Sequence, residues 1–170
     1  MYRILREIFK NGIKTEREPS PDASLRVSMP KQSEEALTTL GDALAIRHVD
    51  AGSCNGCELE IHALNNPYYR LEGLGMGFVA SPRHADMLLV TGPVSRHMEE
   101  SLQRTYDAMP EPRLVVAIGD CGKNGGVFCR RKNYACKGGA SSVIPVDVEV
   151  PGCPPEPAAI LQGILSAIRT

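Results

Sequence analysis

From residue 45 onward the sequence repeats one phrase: a short apolar run, a turn, then a stretch with helical spacing. The runs fall at residues 45–50, 77–81, 87–91, 113–119 and 143–150. Most are continuously apolar rather than alternating, as strands covered on both faces of a parallel sheet must be. The last, Val-Ile-Pro-Val-Asp-Val-Glu-Val, alternates near its end, and Pro145, lacking an N–H, belongs at an edge strand or a strand start. Helical stretches lie between, at about 58–65, near 68–74, at 96–109 and at 155–168, the third bracketed by Ser95 as N-cap and Pro110 as stop. The expected domain is α/β: a doubly wound, mainly parallel sheet with helices on both faces. No internal repeat is visible.

That arrangement resembles the flavodoxin fold. Before residue 45 the pattern is different. In residues 1–14, Ile4, Leu5, Ile8, Phe9 and Ile13 fall on one helical face flanked by Arg3, Arg6, Lys10 and Lys14. This reads as an amphipathic helix for a partner or an interface. Residues 15–32 contain Pro19, Pro21 and Pro30 with little apolar periodicity, an extended arm. Residues 33–44 have the pattern of one short helix, with Ser33 as N-cap and Leu37, Leu40 and Leu44 on a face. Two parts are therefore expected, an N-terminal helix and arm over 1–44 that docks on partner subunits, and a folded domain over 45–170.

Charge and hydropathy exclude some functions. The net charge of −1 gives no basic field for nucleic acid. No run approaches the ~20 apolar residues of a membrane span. The first ten residues interleave basic and apolar positions, unlike a secretory signal, and the one Arg-Arg pair, Arg130-Arg131, is internal. A cytosolic setting is expected, where the six cysteines are metal ligands more readily than disulfides.

Four of the cysteines follow strands. Cys54 and Cys57 come after the first, Cys121 after Leu-Val-Val-Ala-Ile-Gly-Asp, and Cys153 after Val-Asp-Val-Glu-Val-Pro-Gly. In an open parallel sheet these carboxyl ends share one edge, where ligands collect. Thiols far apart in sequence then meet, and four converging thiolates suit one 4Fe–4S cluster. The local chemistry fits thiolates: Cys57 precedes a helix whose N-terminus carries free N–H groups, and Cys153 precedes Pro154-Pro155-Glu156-Pro157, a helix start. Cys121 opens Gly122-Lys-Asn-Gly-Gly126, a loop able to turn its N–H groups onto sulfur as an anion nest. Zinc is the first alternative, although structural zinc sites use two C-x-x-C pairs and one is present. Reduced, buried thiols with no metal are the second. Cys129 and Cys136, too few for a second cluster, read as loop thiols near a partner surface, or as a loop disulfide under oxidation.

The stretches Asp50-Ala-Gly-Ser-Cys-Asn-Gly-Cys-Glu-Leu-Glu60, Ala80-Ser-Pro-Arg-His-Ala-Asp86, Thr91-Gly-Pro-Val94, Gly119-Asp-Cys-Gly122 and Val150-Pro-Gly-Cys-Pro-Pro155 resemble the small subunits of membrane-bound, energy-converting (group 4) nickel–iron hydrogenases of the formate hydrogenlyase type. Those subunits are related to the 20-kDa, terminal-cluster subunit of respiratory complex I. Complex I subunits carry two adjacent cysteines in the first motif; here Asn55-Gly56 separates Cys54 from Cys57, as in the hydrogenases.

The resemblance implies an electron-transfer subunit with one 4Fe–4S cluster on Cys54, Cys57, Cys121 and Cys153. Its partners would be a large nickel–iron catalytic subunit, other iron–sulfur subunits and integral membrane subunits, with the complex on the cytoplasmic side of the membrane. It implies no catalytic residue in this chain, with Glu60 as a possible proton relay. It also suggests that Arg83, His84 and Asp86 tune the cluster, whereas His48, His62 and His97 read as structural. A complex I-like quinone or ferredoxin oxidoreductase without nickel, and a zinc-stabilised adaptor without redox function, are the alternatives.

Overall fold

The computed structural model describes residues 43–129 and 133–168. The expected helix at 1–14, the arm at 15–32 and all of the 33–44 stretch before residue 43 lie outside them. Leu44, expected on a helix, instead opens strand β1 (Leu44–Asp50).

Chain order continues with α1 (Gly56–Ala63), a 3-10 turn at Leu71–Leu74, β2 (Met76–Phe78), β3 (Met87–Thr91), β4 (Val94–Ser95) and α2 (Arg96–Asp107). Then come β5 (Leu114–Ile118), α3 (Gly119–Asn124), α4 (Gly126–Cys129), β6 (Cys136–Gly138), β7 (Val148–Val150) and α5 (Pro157–Ala167). Five strands form one parallel sheet in the order β2-β1-β3-β5-β7. Counting only these strands, that is the 2-1-3-4-5 order of flavodoxin-like folds, whose direction of winding reverses between β1 and β3. The sheet was expected. The small antiparallel pair β4–β6 was not, because two and three residues give no periodicity to read.

β3 is buried along its whole length and shows why its run is continuously apolar. Successive side chains point to opposite faces. Met87 and Leu89 pack into one core with Ile46, Ile61, Ile160 and Ile164, drawn from β1, α1 and α5. Leu88 and Val90 pack into the other with Leu102, Met109 and Ile144. Each such side chain contributes about 1.5–3 kcal/mol on burial. Helices therefore cover both faces.

Three aspartates tie distant parts of the chain together by the same two-bond device. Asp86 accepts the Ala45 N–H at 2.9 Å and donates its own N–H to the Ala45 carbonyl. Asp147 does the same with Val115, accepting at 2.7 Å. Asp120 does it with Gly152, accepting at 3.0 Å. The second pair corrects an expectation. The run at 143–150 is strand only over Val148–Val150, because Ala140–Ser142 is a 3-10 turn and the Asp147 carboxylate takes a ladder position ahead of the strand.

α2 reaches the sheet through Leu102, its one buried residue. Leu102→Ala should lower stability by about 2–5 kcal/mol. Arg104→Ala, which removes an exposed ion pair with Glu100, should move it little. Urea unfolding of the purified chain measures both, and equal midpoints for the two variants would show that Leu102 does not anchor the helix.

Candidate functional site

The register lines up the strand ends: Asp50 lies opposite Thr91, Thr91 opposite Ile118, and Ile118 opposite Val150. The four cysteines follow this line. After β1, Asp50 Oδ1 accepts the N–H groups of Gly52 at 2.7 Å and Ser53 at 2.6 Å, so the chain turns at once. Ser53 Oγ accepts the Asn55 N–H at 3.1 Å, and Asn55 takes the left-handed conformation as N-cap of α1. Cys54 is thereby left exposed, while Cys57, in the first turn of α1, is buried at 9%.

Cys121 lies in α3 and is half-buried. The expected anion-nest loop is not formed. Gly119–Asn124 is helical, and the Gly125 and Gly126 N–H groups donate to Cys121 O and Asn124 Oδ1 rather than to sulfur. The glycines matter for space instead. Gly119 has φ +79°, and a Cβ there would stand 2.8 Å from Cys57 Sγ. Gly126 has φ +52°, and its Cβ would stand 2.7 Å from Cys121 Sγ. Cys153, exposed, follows β7, and the Asp120–Gly152 pair ties its loop to that of Cys121.

All four thiols are free and line one cavity of about 120 Å³, closed in part by Gly56, Gly92 and Gly152. It lies at the carboxyl end of β1 and β3, where the winding reverses. Among the described residues no three Cys, His, Asp or Glu side chains converge tightly enough to hold a single metal ion. Burial pushes the Cys57 thiol up to about 12, helped by Glu58 and by the charges of Cys121, Cys54 and Cys153. Burial also raises Cys121, again with Cys153 and Cys54 adding. The helix N-terminus therefore does not by itself make these groups thiolates. Cys57 and Cys121, whose burial opposes ionisation, become thiolates when several positive charges enter among the sulfurs, as the irons of a cluster would supply. The donor set and the sulfur-lined cavity fit such a group.

The other expected residues distribute differently. Glu60 is half-buried on α1. Its neighbour Glu58 is the buried carboxylate, 8% exposed, and neither of its oxygens has a hydrogen-bond partner. Its spacing to Ile61 and Leu64 on the packed face of α1 was the available signal. Arg83, His84 and Asp86 precede β3, at the end of the sheet away from the cysteines. The first two are exposed and Asp86 holds Ala45, so the expected tuning role has no geometric basis. His62 and His97 are exposed. His48 Nε2 meets Thr91 Oγ1 at 2.9 Å and Glu58 Oε1 at 3.8 Å. Cys129 and Cys136 are joined as a disulfide, with Cα atoms 5.7 Å apart, rather than standing as two loop thiols.

Residues 54–167, which contain all four free cysteines, match the family model of the NADH–ubiquinone oxidoreductase 20-kDa subunit. The chain is 43% identical to the membrane-bound hydrogenase subunit mbhJ of Pyrococcus furiosus over 146 residues, 86% of each protein. It is 45% identical to formate hydrogenlyase subunit 7 of Escherichia coli, again over 86% of this chain but only 54% of that longer protein. Among solved structures, a chain of the membrane-bound sulfane sulfur reductase, an archaeal respiratory membrane complex, superposes with a TM-score of 0.66 at 32% identity, covering 79% of this chain and 76% of that one. The chain belongs to the family of the NADH–ubiquinone oxidoreductase 20-kDa subunit.

Proposed function

We propose that this chain is the electron-transfer subunit of a membrane-bound nickel–iron hydrogenase, holding one 4Fe–4S cluster on Cys54, Cys57, Cys121 and Cys153. The observation that carries the reading is the single cavity into which four free thiols from three strand ends open. Its volume, about 120 Å³, is several times the ~30 Å³ of a water molecule. One zinc ion draws its four sulfurs to ~2.3 Å and leaves no such space, so a polynuclear centre suits it better. When bound, a cluster of this kind supplies one-electron exchange.

The chain's own residues do the rest. Cys57 and half-buried Cys121 hold the inner side, and Gly119 and Gly126 leave room against their sulfurs. Cys54 and Cys153 lie on the exposed side, the side open to a partner. Leu59, Val127 and Phe128 are large, exposed apolar side chains within two residues of Cys57 and Gly126. In the assembled complex the catalytic large subunit would cover them, and other iron–sulfur subunits would take up or deliver the electrons. Hydrogen chemistry belongs to the large subunit. Among the described residues no helix is long and apolar enough to cross a membrane. In this reading membrane subunits would hold the complex, with this chain peripheral on the cytoplasmic side.

The match to the NADH–ubiquinone oxidoreductase 20-kDa subunit model favours a second reading, in which the same subunit serves a complex I-like partner without nickel. The sequence of the large subunit separates the two, since nickel-binding C-x-x-C pairs at both of its ends belong to the hydrogenase.

Purified anaerobically, the chain should contain about four irons and four acid-labile sulfides and give a cluster EPR signal on reduction; zinc without sulfide would refute the reading. Replacing Cys54, Cys57, Cys121 or Cys153 by Ala should each abolish or degrade that signal, whereas Cys129→Ser and Cys136→Ser should keep it. Gly119→Ala should also reduce cluster content several-fold, because the added methyl meets Cys57 Sγ and the backbone there is left-handed. Undiminished iron in that variant would mean that the thiols are not confined as described.

A further inference from the structure

Among the described residues one covalent tie joins side chains, the Cys129–Cys136 disulfide, and electron transfer through the four free thiols makes no use of it. It links two slight elements. α4 is a single turn whose only buried residue is Gly126, and no residue of β6 is buried. β6 is nevertheless held. It pairs with β4, and Lys137 Nζ meets Glu99 Oε2 at 3.0 Å. Just beyond it, Gly139 lies so close to α3 that a Cβ there would stand 2.1 Å from the Lys123 carbonyl oxygen. α4 has less support. Beyond the Gly126 N–H, the Cys129 N–H reaches the Gly125 carbonyl at 3.3 Å and the Phe128 carbonyl accepts from Asn133 Nδ2 at 3.4 Å, both long. The disulfide therefore fastens a weakly held turn to a fixed strand.

That turn forms part of the wall around Cys121. Gly125 and Gly126 are consecutive left-handed glycines, φ +86° and +52°, with a sulfur against each. A Cβ on Gly125 would stand 2.3 Å from Cys129 Sγ, and one on Gly126 would stand 2.7 Å from Cys121 Sγ. A disulfide sulfur and a proposed cluster ligand thus pack on one glycine pair. The bridged segment also reaches the Cys54 loop, because Phe128, Asn133, Ala135 and Cys136 line a small cavity together with Gly52. Both bridged cysteines are half-buried rather than sealed in the core. On the cytoplasmic side proposed for this chain thiols are kept reduced, and a disulfide that forms there is transient or redox-sensing.

We propose that Cys129 and Cys136 form a reversible redox clasp that controls how firmly the Cys121 side of the cavity is closed. The proposal rests on the reading of the four free thiols as cluster ligands. Joined, the pair holds α4 and Gly126 against Cys121 Sγ. Parted, it frees the turn and opens that wall, so the reduced chain admits and releases a cluster and the oxidised chain retains one. On closing, the two thiols give up two protons and two electrons to a low-molecular-weight disulfide such as oxidised glutathione, which leaves as two thiols; reopening is the same exchange reversed. α4 also presents Val127 and Phe128, so the clasp acts on the chain before a large subunit covers them.

The test uses the full-length chain, purified anaerobically with its cluster, as wild type and as the Cys129→Ser/Cys136→Ser double variant. Both are poised in mixtures of reduced and oxidised glutathione, and differential alkylation read by mass spectrometry gives the state of the pair. Iron release to a chelator is then timed. Oxidised wild type should release iron at least about fivefold more slowly than reduced wild type. The double variant should hold a cluster and release it at the reduced wild-type rate in every mixture. Hydrogen exchange gives a readout independent of the cluster: the amides of 125–129 should exchange more slowly on oxidation in wild type and not in the double variant. Equal release rates in oxidised and reduced wild type would overturn the clasp, as would a double variant whose rate still follows the glutathione ratio. So would a pair that stays in one state across all mixtures. A chain with neither iron nor sulfide in any mixture would remove the electron-transfer reading. Slower exchange at 125–129 on oxidation would then leave the clasp standing, and unchanged exchange would overturn it too.

Discussion

Four parallel strands end level with one another, and the site depends on that alignment. With Asp50, Thr91, Ile118 and Val150 in register, short turns suffice to bring Cys54, Cys121 and Cys153 from distant parts of the sequence to one cavity. A slip of one residue would move a cysteine by about 3.3 Å and turn its strand's side chains to the wrong face. The alignment is protected from both sides, because β3 contributes alternate residues to two separate cores. Beyond the strand ends, the two bonds between Asp120 and Gly152 keep the Cys121 and Cys153 loops together. Asp86 and Asp147 use the same device at the opposite end of the sheet, where it pins the ladders and carries no ligand.

Much of this was legible in the sequence, and for a physical reason. Strands buried on both faces must be continuously apolar, so β1, β3 and β5 were visible as runs, and the thiols following β1, β5 and β7 marked the carboxyl edge. What misled was chemistry that depends on three-dimensional neighbours. The glycines after Cys121 look like a flexible loop, but α3 and α4 are helical and those glycines are there to admit sulfur. The run at 143–150 has strand composition, yet a side-chain carboxylate occupies the place of a backbone group until Val148. β6 depends on pairing with β4, a contact no local pattern announces. Arg83-His84-Ala-Asp86 lies in a stretch that resembles the hydrogenase small subunits, a likeness that did not reveal its place at the end of the sheet away from the cysteines.

The electrostatics of the thiols invert the simplest expectation. A helix N-terminus favours a thiolate, but Cys57 is buried beside a carboxylate and three other thiols, and all of these favour the protonated form. Burial therefore opposes uncompensated negative charge on Cys57 and Cys121. Such a pocket discriminates by charge as well as by ligand type, because only a centre bringing several positive charges repays the ionisation of the whole set. The exposed positions of Cys54 and Cys153 would leave the proposed centre within reach of a partner, while Cys57 and Cys121 would hold it on the core side.

α1 has a double duty that follows from its geometry. Cys57 and Glu58 are consecutive, so their side chains leave the helix about 100° apart, one toward the sulfur-lined cavity and the other toward a second cavity at the β1–β2 edge. Ile61 on the same helix is packed into the core, so α1 cannot turn to favour one side without losing that contact. One helix therefore borders both cavities, and its packing against the core fixes where Cys57 stands relative to the β1–β2 edge.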